Sequence, residues 1–197
     1  MANHLPAPVL VIALPTDLDL SKSQTILLQL GYQPDMLLYA DNGRAAQSMM
    51  TEHLPNLILY HISTPADICL ISQLKQQNLD TPVLAIFHSA STALIYSTLL
   101  SGAESYMPHQ DSISECCESL KIVLRGGAYI HAELTHYILY QPATQTCLNL
   151  AELQLLQGLS QQQSQTERQN LLQMRDYQIY ARIKQIYRKL ATTSLNS

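Results

Sequence analysis

The sequence predicts an α/β fold: a five-stranded parallel, doubly wound domain followed by a small all-α domain. Three observations carry this. Between residues 8 and 126, short apolar runs alternate with helix-period segments five times, the pattern of strands covered on both faces and joined by crossover helices. Beyond residue 148 the apolar spacing is helical and β-branched runs stop. The charge balance also turns over there: residues 1–147 hold 5 Lys/Arg against 12 Asp/Glu, and residues 148–197 hold 6 against 3.

Each element follows from its residues. "PVLVIAL" (8–14) is the first strand, and residues 19–31 a helix stopped at Gly31. "MLLYA" (36–40) is the second strand, and "DNG" (41–43) turns into the helix "RAAQSMMTEHL". "LILYHI" (57–62) and residues 66–77 are the third pair, "PVLAIFH" (82–88) and residues 91–101 the fourth. "ESYM" (104–107) is a short fifth strand, and the helix over 111–125 stops at Gly126-Gly127. "YIHAELTHYILY" (129–140) has helical spacing, and "QPATQT" (141–146) reads as a connector. In the last segment Ile179, Ile183, Ile186 and Leu190 fall at i, i+4, i+7 and i+11, one apolar stripe. Arg182, Lys184, Arg188 and Lys189 are expected to project away from it.

Composition limits the function classes. A 47% apolar chain of 197 residues can bury a core; no window reaches the roughly 18 apolar residues of a membrane span. "MANHLPAPVL" has no basic start before an apolar run, so no secretory signal is expected. Cys69, Cys116, Cys117 and Cys147 lack paired spacing and fit reduced thiols in a cytoplasm. No nucleophile–base pattern points to an enzyme. A basic tail behind an acidic front directs any polyanion to the tail.

The blocks "VLVIAL", "YADNGRAA", "PNLILYHISTP", "TPVLAIF" and "SGAESYMPH", with an ungapped stretch from Leu148 ("LNLAEL") to "IYRKL" at 186–190, resemble a response regulator of the LuxR/NarL type. The resemblance implies a receiver domain at 1–126, a linker at 127–147 and a helix-turn-helix DNA-binding domain at 148–197. It also locates a degenerate phosphorylation pocket. Where such receivers end the first strand with two acidic residues for Mg²⁺, a hard cation that needs carboxylate oxygens, this chain has Ala13 and Leu14. His61 stands in place of the phosphate-accepting aspartate, Phe87 in place of the hydroxyl residue ending the fourth strand, and His109 in place of the lysine after the fifth. Asp17 and Asp19 lie past the first strand but have no acceptor carboxylate to serve. Aspartyl phosphorylation is therefore expected to be lost and His61 to be a structural, hydrogen-bonded imidazole. The alternative for the histidines is a metal or small ligand held by His61, His88 and His109, three imidazoles at strand ends.

The same resemblance maps the DNA-facing residues to Gln178, Tyr180, Ala181, Arg182, Lys184 and Arg188, on a helix starting near Asp176 that would enter the major groove. Arg168 at a core position and Gln162 in place of a glycine depart from the pattern. The expectation is a phosphorylation-independent transcriptional regulator that binds double-stranded DNA as a homodimer, with no cofactor, no metal and no membrane contact. A protein partner or small ligand at the pseudo-receiver remains open. The alternative is a protein-interaction module that sequesters a partner and whose helical tail does not bind DNA.

Overall fold

The apolar runs form strands where the sequence places them: β1 (Val9–Ala13), β2 (Leu37–Ala40), β3 (Leu57–Ile62), β4 (Val83–Phe87) and β5 (Ser105–Pro108). This computed structural model describes residues 7–13, 20–108, 110–161 and 174–195. The strands pair in parallel in the order β2-β1-β3-β4-β5. Alternation along each strand divides the core in two. Val9, Val11, Leu57, Leu59, Leu84 and Ile86 meet α1 (Ser21–Gln29) and α5 (Ile113–Leu124) on one face. Leu10, Ile12, Ile58, Tyr60, Ile62 and Ala85 meet α2 (Gly43–His53), α3 (Ile68–Gln77) and α4 (Thr92–Leu100) on the other.

Local chemistry sets the helix boundaries. The Asn42 side chain accepts from Ala45 N–H and starts α2, Ser91 does the same for Leu94 at α4, and Ser112 with Glu115 forms a capping box on α5. Gly31, Gly102 and Gly126 lie just past α1, α4 and α5 at φ +94°, +106° and +83°, a conformation side chains resist.

The second core cluster does not stop at α4. It continues into α6 (Ala132–Leu139), α8 (Leu150–Ser160) and α9 (Asp176–Leu195), whose Leu134, Ile138, Leu155, Leu156, Ile179, Ile183, Ile186 and Leu190 are all buried in it. Of residues 141–146, expected as a connector, all but the capping Gln141 instead belong to a short helix, α7 (Pro142–Cys147). Pro142 presets the first-turn dihedral and forfeits an N–H that would have had no partner. The buried Thr144 hydroxyl donates to the Ile138 carbonyl at 2.6 Å. The departures at Gln162 and Arg168 lie outside the described residues.

Helix α9 is fixed to the segment 127–131. Ala128 N–H donates to the Tyr180 main-chain oxygen at 3.0 Å, and the fully buried Tyr187 hydroxyl donates to the Tyr129 carbonyl at 2.8 Å. Gly127 lets the two backbones approach: a Cβ there would sit 2.8 Å from Tyr180 Cβ, 3.0 Å from Ile122 Cγ2 and 3.2 Å from the Ile122 carbonyl. Gly127→Ala is therefore expected to lower stability by about 1–3 kcal/mol, read as a reduced denaturation midpoint with an unchanged slope.

A second tie joins α9 to α8. Glu152, only 3% exposed, binds Lys189 Nζ at 2.7 Å and accepts from Asn149 N–H at 2.9 Å. Burial pushes the Glu152 carboxyl up, but the hydrogen bonds from Lys189 and Asn149 and the charges of Lys189 and Arg182 outweigh it and hold the group below its ordinary 4.5. A depressed carboxyl stabilises the fold above the unfolded value and loses that contribution as pH falls through the folded one. Lys189→Met should cost about 1–3 kcal/mol at neutral pH, and this cost should shrink on acidification to about pH 3 as Glu152 is neutralised. Urea titrations at the two pH values measure it.

Candidate functional site

Two regions gather the residues singled out by sequence: the carboxyl edge of the sheet, where ligands bind in open α/β sheets, and the outer surface of α9.

At the sheet edge, parallel pairing puts Ala13 beside His61, and both are buried. The alternation of β3 turns His61 toward α1. There Ser23 Oγ lies 3.0 Å from His61 Nε2, while His61 Nδ1 lies 3.3 Å from His88 Nε2. Both ring nitrogens of His61 are thus within hydrogen-bonding distance of side chains. A neutral imidazole donates from one nitrogen and accepts at the other, which suits a chain of this kind. Phe87, 3% exposed, closes the neighbouring position with an apolar ring. Leu14, His109, Asp17 and Asp19 lie outside the described residues. The structure therefore joins His61 to His88, and the third histidine of the alternative metal set, His109, lies outside the described residues. Among the described residues no group of three or more His, Cys, Asp and Glu is placed to hold a metal ion.

Sequence reasoning missed part of this edge. Lys22, beside Ser23 on α1, donates its ammonium to the Asp111 carbonyl after β5. Further along, the buried Tyr106 hydroxyl lies 2.8 Å from His131 Nδ1 and accepts from His131 N–H at 3.0 Å. Burial lowers the His131 imidazole, against the opposing pull of Asp111, Glu133 and Glu115. Tyr106, Asp111, His131 and Glu133 line a cavity of about 470 Å³ with Phe87, Thr92 and Leu134. Nothing in the sequence near His131 marks it as a sheet-edge residue, because it reaches β5 only through the fold of residues 127–131.

On α9 the six expected DNA-facing residues divide. Gln178, Ala181, Arg182 and Arg188 are exposed and fall on one helical stripe with Gln185. Gln178 also spends its side-chain oxygen on Arg175 N–H at 2.9 Å, closing the start of the helix. Tyr180 and Lys184 do not project outward as expected. Both are half-buried on the flank that meets the α/β domain. Tyr180 lies against Gly127 beside Ile122. Lys184 turns toward Lys75 and Glu104; burial lowers its ammonium, Glu104 raises it, and Arg188 and Lys75 lower it further. The reason is helical period: 180, 184, 187 and 191 share a flank, and the buried Tyr187 on that flank pulls it inward. Lys189, expected to be free of the apolar face, is committed to Glu152.

No family model matches the chain. Over 114 residues it is 27% identical to the transcriptional regulatory protein DegU of Brevibacillus brevis, a match covering 56% of this chain and 48% of that protein; the chain spans about half the length of this curated relative. Among solved structures it is similar to the isolated REC domain of RcsB from Salmonella enterica serovar Typhimurium, with a TM-score of 0.55, 13% identity and coverage of 66% of this chain and 97% of that one. It is also similar to a CheY-like response regulator receiver domain protein from Methanospirillum hungatei JF-1, with a TM-score of 0.51, 19% identity and coverage of 60% and 94%. A LuxR family DNA-binding response regulator from Silicibacter pomeroyi matches with a TM-score of 0.50, 19% identity and coverage of 62% and 96%. The five-stranded domain has the fold of a CheY-like receiver, with further helices after it, and over 114 residues the chain is homologous to a protein named a transcriptional regulatory protein.

Proposed function

We propose that this protein is a phosphorylation-independent transcriptional regulator: a receiver-like domain without phosphoryl chemistry, carrying helices of which α9 contacts double-stranded DNA as part of a homodimer. The observation that carries this reading is the outer stripe of α9. It presents Arg182 and Arg188 with neither hydrogen bonds nor ion pairs to their guanidinium groups among the described residues, opposite a face packed by Ile179, Ile183, Ile186 and Leu190. A helix held along its back with guanidinium groups on its front suits a groove roughly 12 Å wide and lined by phosphate. Homology to DegU, named a transcriptional regulatory protein, supports the same class.

Independence from phosphorylation rests on the sheet edge. Ala13 and His61 occupy positions where a phosphoacceptor site needs carboxylates, and Ser23 and His88 lie within hydrogen-bonding distance of the two nitrogens of His61. Incubation with acetyl phosphate and Mg²⁺ should leave the intact mass unchanged. A phosphoryl adduct that disappears in His61→Ala would refute this part and establish a phosphohistidine.

The division of α9 gives the DNA test. Arg182→Ala should weaken binding to any duplex and reduce the slope of log K against log salt by about one. Lys184→Ala should leave that slope unchanged, since its ammonium faces the receiver-like domain. Electrophoretic shifts of random and genomic duplexes across a salt series read both. Light scattering at saturating DNA should give two chains per site, as two-fold readers spaced by about 34 Å require. Absence of binding at low salt would transfer the function to the protein-interaction alternative.

A further inference from the structure

Between the α/β domain and α9 lies a cleft of about 570 Å³, within the size range of small-molecule sites. Its floor is apolar: Leu99 from the end of α4, Ala103 between α4 and β5, Ala191 and Tyr187 from α9. At its mouth stands Leu79, 74% exposed, an apolar side chain left uncovered among the described residues.

The charges in this cleft divide into a satisfied pair and an unsatisfied one. Lys75 donates to the Leu79 carbonyl, the Thr81 carbonyl and Glu104 Oε1, which uses all three of its protons. Glu104 gives its other oxygen to Val83 N–H at 2.7 Å. That ion pair is complete in its hydrogen bonds, and Glu104 acts on Lys184 only through its charge. Lys184 and Arg188 line the same cleft, and among the described residues neither side chain has a hydrogen bond or ion pair. They are i, i+4 neighbours on α9, so two like charges repel along one helix edge, and Lys184 is half-buried, where burial lowers its ammonium. Asp80 also lines the cleft, at an exposed position, and is not among the charges acting on Lys184, which are Glu104, Arg188 and Lys75. The structure thus places two cations, neither hydrogen-bonded nor ion-paired among the described residues, over an apolar floor with an exposed leucine at its lip.

We propose that this cleft binds a small amphipathic anion, with a carboxylate or phosphate head between Lys184 and Arg188 and an apolar body along Leu99, Ala103, Ala191 and Leu79. The head relieves the repulsion between the two cations, and the body removes Leu79 from water. Because one wall is α4 and the other α9, the bound molecule bridges the receiver-like domain and the helical segment. The site stands whether or not α9 reads DNA.

The test uses the full chain without DNA. Isothermal titration with decanoate and with decyl phosphate should show one saturable site, with a dissociation constant on the order of 0.1 mM for the better of the two; the preferred probe identifies the head group. Lys184→Met and Arg188→Met keep the apolar stems and should each weaken binding about tenfold. Ala191→Phe should abolish binding by filling the floor. Lys184→Met should melt no lower than the parent chain, since it removes a half-buried ammonium, and Arg188→Met replaces an exposed group, so loss of binding in these variants cannot be assigned to unfolding. No saturable binding of either anion would overturn the proposal. So would decylammonium binding as tightly as the anions, or undiminished affinity in both methionine variants.

Discussion

Ala128 N–H donates to the main-chain oxygen of Tyr180 at 3.0 Å, in the body of a helix whose carbonyls are otherwise spent along its own axis. A carbonyl has a second lone pair, so this bond costs the helix nothing, but it demands that two backbones come together. Gly127 makes the approach possible, because any Cβ there would collide with Tyr180 and Ile122. The Tyr187 hydroxyl fixes the same seam two helical turns further, at the Tyr129 carbonyl. With these contacts set, the rotation of α9 about its axis is no longer free. Ile179, Ile183, Ile186 and Leu190 face inward, Tyr180 and Lys184 fall on the flank against the α/β domain, the exposed Arg188 stands at the rim of the cleft on that flank, and Arg182 is left outside. Every functional reading of the helix follows from that rotation.

The fold was legible in the sequence because its signals are local. β3 reads as a strand from Leu57 to Ile62, because parallel strands buried on both faces need uninterrupted apolar runs, and α2 and α5 announce their starts through Asn42 and Ser112. The apolar stripe of α9 was legible for the same reason: its period lies within one element. Residues 141–146 misled because Pro, Thr and Gln score as a connector, whereas Pro at the first helical position and a threonine bonded back to Ile138 make a helix. The site was less legible. A four-residue stripe shows which side of α9 is most apolar but not how wide the buried arc is, and Tyr180 and Lys184 lie within that margin. Their burial depends on Gly127 and Tyr129, more than 50 positions earlier in the chain. Ser23 and His131 were invisible for a related reason, since each reaches the sheet edge by tertiary packing alone.

The sheet edge and α9 are also connected to each other. On the proposed reading the edge has no phosphoryl group to receive: Ala13 brings no carboxylate, Phe87 no hydroxyl, and His61 is flanked by Ser23 and His88. What survives from that edge is a set of contacts independent of phosphate. Tyr106 on β5 meets His131 through its hydroxyl at 2.8 Å; the ring of His131 lies edge-on to Tyr129 with centroids 4.8 Å apart; and the Tyr129 carbonyl receives the Tyr187 hydroxyl of α9 at 2.8 Å. Tyr106 and Tyr187 are buried and Tyr129 and His131 half-buried, so displacing one requires repacking the next. The histidine in this series is held toward its neutral form by burial while three carboxylates pull the other way. The physical link between the edge of the sheet and the helix is therefore aromatic packing and hydrogen bonding through residues 129–131, and it reaches α9 on the flank that the cleft with Lys184 and Arg188 also borders.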